Sequence, residues 1–498
     1  MVLAWAFEAD LVDDTYIFLR YARNMAEGHG AVFNVGERIE GYSSPLWTFL
    51  LGGAGVVFPD FETLAYVMGL ACGAAVVGLL VVAVCGTGRL GGWDAVILGL
   101  GLATSPVVAF WSGSGMDAPL FLLLTAASLL SILKDRNTSG LSARTTVLLT
   151  LATLTRPEGV LLAAYAGAYF LWERRGVRTL LGYAAAVATL FVARYAYYGA
   201  WVPNTYHAKV TFDAVRRLHD GAAYIGLAAW THGPLLCAAV MMLVFAWRRR
   251  TLSEVPLLFL GGWIVLWSGY VLYVGGDNFA AFRFLLPTLP AWFLLLGWGW
   301  ASIRDHLRPA TRGAFLAVLL AAFSIAHAHT YHSQARHCLD EVHLARCWAK
   351  VGRWLAHNTP PNTVIATVVP GALGYHSRRA VIDMLGLTDG IIARDGEVYP
   401  QAAHGHGRYH TDYVFRRNPD IVVYHSSGRF REPVYHDAKR IAPLWGYALF
   451  DFVTDPRCEQ RYSYRSTRLP DGTVVEMMMK RTEAARLVAC ATGESAGS

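Results

Sequence analysis

Long apolar runs recur along the chain and stop near residue 330. Leu64 to Cys85, Ala95 to Trp111, Pro119 to Leu133, Leu180 to Val192, Val255 to Val274 and Phe284 to Trp300 are nearly free of charge. They approach or reach the roughly 20 helical residues that cross a bilayer core. One such run would also suit a buried helix of a large soluble protein; a series of them does not. The run Leu46 to Phe58 is too short to span, and predicts a segment lying along or dipping into the membrane face. Beyond residue 330 the pattern changes to short apolar stretches such as Thr363 to Val369 and Asp420 to Tyr424, set among charges, prolines and histidines. That pattern predicts an aqueous domain of strands and helices in turn. Residues 484–498 are mostly small or polar and read as a tail.

The charges between the runs give an orientation. Lys134-Asp135-Arg136 with Arg144, Arg174-Arg175 with Arg178, Arg248-Arg249-Arg250, and Arg304 with Arg308 and Arg312 mark basic loops, which face the cytoplasm by the positive-inside rule. Ser112 to Ala118, Thr155 to Gly159, Pro203 to Trp230 and Gly275 to Arg283 then face outward, and a last span near Gly313 to His329 carries the C-terminal domain outside. Counting back places residues 8–62 outside too. Only Met1 to Phe7 precede that loop, which predicts a first span cut short in this sequence; a signal peptide would need a basic start and a fuller apolar stretch.

Composition agrees with this pattern: 54% of residues are hydrophobic and 16% charged, unlike an ordinary soluble domain. The inner loops largely account for the net charge of +7, so nucleic acid is not an expected partner. Cys338, Cys347, Cys458 and Cys490 fall in the outward domain, where a disulfide and free buried thiols are both open readings. The expected architecture is an all-α polytopic membrane domain over residues 1–330, of roughly ten or eleven transmembrane helices. A C-terminal extracytoplasmic α/β domain follows over residues 331–498, in a multi-pass protein of the bacterial plasma membrane.

Ionisable groups near a bilayer are costly unless they face a cavity or a partner, so their positions are informative. Asp13, Asp14, Arg20, Arg23 and Asn24 lie in the first outer loop. Asp117 follows Ser112-Gly113-Ser114-Gly115-Met116, and Arg156 and Glu158 sit in Thr155-Arg156-Pro157-Glu158-Gly159. Asn204, Tyr206 and Lys209 occupy Pro203 to Lys209, and Asp277 and Arg283 occupy Gly275 to Arg283. Each has a structural alternative: Asp117 would cap its helix, Glu158 would pair with Arg156, and Gly275-Gly276 would turn the chain. Their common side of the membrane predicts a site at the outer face. Chemistry suited to that place is attack of an acceptor hydroxyl on the anomeric carbon of a sugar carried by a polyprenyl phosphate. A carboxylate would take the proton, and Arg or Lys would stabilise the departing phosphate. The pair Asp13-Asp14 suits the base or a divalent-metal site; Arg283, Arg156 and Lys209 suit the phosphate; Arg20, Asn24, Asp117, Glu158, Asn204, Tyr206 and Asp277 suit the substrates. Asp14 is favoured as base, because Asp13 is better placed to cap the amphipathic segment Thr15 to Ala26, which can lie on the membrane.

Asp13 to Asn24, Gly28-His29-Gly30, Asn34 and Glu40-Gly41-Tyr42-Ser43-Ser44-Pro45-Leu46-Trp47 resemble the first external loop of GT-C glycosyltransferases. They are most similar to the bacterial group that includes terminal arabinofuranosyltransferases. Ser112 to Asp117, Thr155 to Gly159, Pro203-Asn204-Thr205-Tyr206 and Gly275-Gly276-Asp277 resemble that group's later turns in order, and Asp383 to Asp389 extends the resemblance more loosely. The resemblance implies a catalytic carboxylate at Asp13 or Asp14, a polyprenyl-phosphate-linked sugar as donor, with arabinofuranose as one candidate, and a glycan or lipid acceptor.

No nucleotide-binding glycine motif is evident, which fits a lipid-linked donor. No cofactor is required by the reading, and a divalent metal stays open. His404, His406 and His410 would sit in a glycine-rich loop, with metal binding or sugar contact as alternatives. A lipid or solute transporter would explain many helices without chemistry, but its polar groups would lie near the midplane, often with repeat symmetry. A non-catalytic envelope-assembly protein is the remaining rival.

Overall fold

The computed structural model describes residues 10–86, 92–209, 214–248, 254–403, 405–433 and 443–482. The expected incomplete first span falls on residues 1–9, outside the described residues. The first outer loop holds α1 (Asp13–Ala26) and α2 (Pro45–Gly55), followed by α3 (Phe61–Cys85), α4 (Gly92–Ala103), α5 (Pro106–Gly113) and α6 (Ala118–Asp135). Next come α7 (Ala143–Thr155), α8 (Gly159–Trp172), α9 (Leu180–Tyr198), α10 (Asn204–Lys209), α11 (Ala214–Thr231), α12 (Gly233–Arg248) and α13 (Glu254–Val274). A 3-10 turn over Arg283–Thr288 leads into α14 (Leu289–Ile303), and α15 (Pro309–Asn358) completes the helical body.

This is a multi-pass membrane protein. Among the described residues, six helices are long and apolar enough to cross a bilayer, or eight if the bent pairs α4–α5 (53°) and α11–α12 (78°) each count as one span. The shorter helices α7 and α8 flank the Thr155–Gly159 turn. Pro203–Trp230 differs from the outward turn expected, because it contains α10 and nearly all of α11. The inverted burial of α9 shows what solvent its surface meets: its buried residue is Arg194, while Leu181 and Val192 are exposed. Such an arrangement suits lipid, where an apolar side chain needs no cover and an arginine does. Close approach of helices relies on small residues, as lipid supplies no hydrophobic drive between them. A Cβ on Gly69 of α3 would lie 2.5 Å from the backbone oxygen of Ser112.

Helix α15 has 50 residues. At about 1.5 Å per residue it far exceeds a bilayer core of about 30 Å, so one rod carries the chain from the membrane body into the C-terminal domain. That domain contains β1 (Val364–Thr367), α16 (Gly371–Ser377), β2 (Ala380–Asp383), α17 (Gly390–Asp395), β3 (Glu397–Val398), β4 (Arg408–Tyr409), α18 (Thr411–Arg417) and β5 (Ile421–Val423). It continues with α19 (Pro443–Thr454), α20 (Pro456–Arg461), β6 (Tyr462–Arg468) and β7 (Val474–Lys480). The main sheet has the order β2-β1-β5-β7-β6, parallel across β2, β1 and β5 and antiparallel across β5, β7 and β6. Ile365, Val422 and Val423 are buried, as expected of apolar strands covered on both faces. The mixed sheet with its helices is the α/β domain expected.

One expectation is corrected, and the open reading of the cysteines is narrowed. Helix α1 does not lie on the membrane: every residue from Thr15 to Asn24 is buried, because it packs against α2, α3, α15 and α16. Cys338, Cys347 and Cys458 are buried free thiols, so none bonds another described cysteine; Cys490 is outside the described residues.

Candidate functional site

The outer turns meet around a cavity of about 580 Å³. Asp14 enters from α1, Asp117 from the start of α6, Arg156 and Glu158 from the α7–α8 turn, Tyr206 and Lys209 from α10, and Arg283 from the 3-10 turn. Arg194 and Arg217 complete its charged lining, and Ile17, Phe18, Leu161, Phe191, Val274 and Phe284 supply apolar wall. Such a space, mainly apolar with convergent polar groups, suits an amphiphilic ligand.

Most of these charges already have partners. Arg156 donates from Nε and Nη2 to the two carboxylate oxygens of Asp117, each at 3.0 Å. Burial opposes the Arg156 charge, but Asp117 and Glu158 outweigh it and hold its pKa above the ordinary value. Asp117 does not cap α6 through its side chain, and Glu158 instead accepts from the Tyr270 hydroxyl at 3.0 Å. Arg283 forms a second bidentate pair, with Asp277 at 2.7 and 3.0 Å, and its guanidinium lies 4.5 Å from the Phe279 ring centroid. Arg194 donates to Glu40 at 2.6 Å.

Three charged groups of the lining differ. Among the described residues, Asp14, Lys209 and Arg217 make neither an ion pair nor a side-chain hydrogen bond. Arg217 is half-buried, its Nε has no hydrogen-bond partner, and its guanidinium lies 5.2 Å from the Tyr273 ring centroid. One carboxylate and two cations therefore face the cavity uncommitted. Arg217 was not among the sequence candidates; its signal was the basic pair Arg216-Arg217 opening an amphipathic stretch after an outer turn.

The remaining candidates hold the scaffold together away from the cavity wall. Arg20 is buried and donates to the backbone oxygens of Phe33, Gly374 and Arg379 and to Asn34 Oδ1. Asn24 donates to the Val32 and Phe33 oxygens, and Asn204 to the oxygens of Gly386, Leu387 and Asp389. The Asp383–Asp389 segment that Asn204 grips is a tied turn. Asp383 accepts from the backbone amides of Leu385 and Thr388, and Asp389 caps α17 by accepting from Ile391 and Ile392. Asp13 does not cap α1, whose N-cap is Val12 without a side-chain bond; its Oδ1 accepts from the Ala372 amide at 2.7 Å.

Among the described residues no three His, Cys, Asp or Glu side chains converge as a metal cluster. His404 lies outside the described residues. The strand β4 and the turn before it approach α10 and α11: Arg408 donates to the His207 oxygen at 3.3 Å, and Arg216 donates to the oxygens of Pro400 and Ala402. The outer domain thus overhangs the elements that carry Lys209 and Arg217.

Comparison with known proteins gives the same picture from another direction. Residues 329–475 match a family described as a domain of unknown function (DUF8728). The chain is 32% identical over 269 residues to a terminal β-(1→2)-arabinofuranosyltransferase of Mycobacterium tuberculosis, covering 48% of this chain and 41% of that one. It is 29% identical over 235 residues to a protein of the same name from Corynebacterium glutamicum, covering 41% and 33%. The matched stretches therefore span less than half the length of these relatives. ArnT from Cupriavidus metallidurans, solved bound to undecaprenyl phosphate, superposes with a TM-score of 0.60 at 14% identity, covering 96% of both chains. The chain shares the fold of ArnT.

Proposed function

We propose that this protein is a membrane glycosyltransferase that moves a sugar from a polyprenyl-phosphate donor to a glycan or lipid acceptor of the cell envelope. The reading rests on one observation: among the described residues, the cavity where the turns meet keeps one carboxylate, Asp14, and two cations, Lys209 and Arg217, free of both ion pairs and side-chain hydrogen bonds. Those are the groups the reaction needs. The acceptor oxygen bonds to the anomeric carbon, its proton passes to Asp14, and the bond from that carbon to the phosphate oxygen breaks. The electron pair leaves on the polyprenyl phosphate, which Lys209 and Arg217 stabilise. Arg283 and Arg156, offered first by sequence, already share their charge with Asp277 and Asp117 and serve as the fixed wall.

The apolar lining gives the first isoprene units a surface, and the exposed apolar residues Phe49, Leu50, Val56, Val57 and Phe58 at and after α2 suit the adjoining lipid. The names of the relatives make arabinofuranose the first sugar to test. Residues 1–330 serve as the membrane unit and residues 331–498 as an outer unit on the extracytoplasmic side of the plasma membrane. A membrane-impermeant maleimide should label Arg468→Cys on intact cells; labelling only after permeabilisation would reverse the topology.

The decisive experiment supplies purified protein with polyprenyl-phosphate sugars and envelope acceptors, and follows both donor binding and transfer. Asp14→Asn should bind donor and fail to transfer, because an amide accepts no proton at neutral pH. Transfer at the wild-type rate by that variant would remove Asp14 from the mechanism. A transporter or an assembly scaffold would form no glycoside with either protein.

A further inference from the structure

Asp13 and Asp14 are adjacent, yet the structure sends them to different places. Asp14 lines the cavity. Asp13 Oδ1 accepts from the Ala372 amide at 2.7 Å, across to the outer domain. A Cβ on Gly371 would press into the Asp13 backbone oxygen and lie 2.5 Å from Oδ2, so only a glycine admits this approach. The same short segment is held again about two and three turns further along α1. Arg20 Nη1 donates to the Gly374 oxygen at 2.8 Å, and Arg23 Nη1 donates to the Tyr375 oxygen at 2.9 Å. Asn34, in the loop after α1, then pairs with both polar backbone groups of Val381. Helix α1 is thus pinned to residues 371–381 along its length, and Asp13 is the pin next to the cavity.

We infer that Asp13 is a positioning residue: it anchors the start of α1 to Gly371-Ala372 of the outer domain and so sets where the Asp14 carboxylate stands in the cavity. This rests on the proposed role of Asp14. The Ala372 bond needs an acceptor oxygen and not a negative charge, because an uncharged amide oxygen accepts the same N–H. Charge is in fact disfavoured there. Burial pushes the Asp13 carboxyl up to about 7, the Ala372 bond opposing, with Asp14 and Glu341 of α15 adding to the rise; His337 faces Glu341 at 3.5 Å. A raised carboxyl pKa means that the folded protein holds a proton the unfolded chain releases. Stability therefore falls as pH rises from about 4 to about 7, and the cost is complete above that window.

The test compares Asp13→Asn, Asp13→Ala and Asp14→Asn in the full-length membrane protein. Asp13→Asn should transfer sugar within about tenfold of wild type, well short of the loss that removing a general base brings. Its melting temperature should gain on wild type between pH 5 and pH 8. Asp13→Ala should lower kcat with donor KM little changed, and should speed hydrogen exchange at the Ala372 amide; recovery of both by Asn marks positioning through the acceptor oxygen. Gly371→Ala, which crowds Asp13 from the other side, should reproduce the kcat loss with the carboxylate intact. Loss of transfer in Asp13→Asn with the Ala372 amide still protected would make Asp13 the base and overturn the inference. Wild-type transfer by Asp14→Asn would instead overturn the proposed base, while the exchange and melting data would still report on the Asp13 anchor.

Discussion

The cavity and the seam between the first loop and the outer domain are built from the same residue types, often from the same turn, and they differ in what those residues face. At the seam, Arg20 spends its guanidinium on three backbone oxygens and Asn34, and Asn204 gives its amide to three more oxygens. At the cavity, Lys209 lies on the same short helix as Asn204, and Asp14 lies on the same helix as Arg20, yet both look into open space. A buried polar group without a partner costs roughly 1–3 kcal/mol, so the seam is under pressure to be satisfied. Groups at a binding cavity escape that pressure only by meeting water or a ligand. Uncommitted charge is therefore a better guide to function here than charge alone.

Changes at the two regions should separate their roles. The largest effect is expected at Asp14: Asp14→Asn should reduce transfer by on the order of a hundredfold to ten-thousandfold, with the melting temperature and donor binding nearly unchanged. Next comes Arg283, which belongs to the cavity wall but is paired. Arg283→Gln would leave Asp277 buried without its cation, and a broken buried pair costs about 3–5 kcal/mol, so thermal unfolding should report it first. Donor affinity in the folded fraction should change less than in the next pair of variants.

Arg217→Gln and Lys209→Gln should each weaken binding of a polyprenyl-phosphate sugar. A hydrogen bond to a charged group is worth about 1.5–3 kcal/mol, or about ten- to a hundredfold in Kd, with little loss of stability. Unchanged affinity in both would return the phosphate to Arg156 or Arg283. At the seam, Arg20→Met should cost about 1–3 kcal/mol through the oxygens it abandons, seen as earlier proteolysis of the outer domain. The smallest effect belongs to Asp13→Asn, which keeps the acceptor for Ala372.

Hydropathy, the basic loops and the turn residues were legible because each is local. A run such as Phe61–Cys85 can only be satisfied in lipid as a helix, and loop charge alone gives a side to each turn. The sequence by itself thus determined a polytopic membrane body and a C-terminal α/β domain. It could not tell Asp13 from Asp14 by environment, foresee that Arg156 prefers Asp117 to Glu158, or single out Arg217. Those outcomes depend on partners far away in the chain: Ala372 for Asp13 and Asp117 for Arg156. Likewise α1 has the amphipathic pattern of a surface helix, and only its packing against α2, α3, α15 and α16 buries it. A charged side chain carries its own cost of burial in its chemistry, but tertiary structure alone decides whether a neighbour removes that cost or a ligand must.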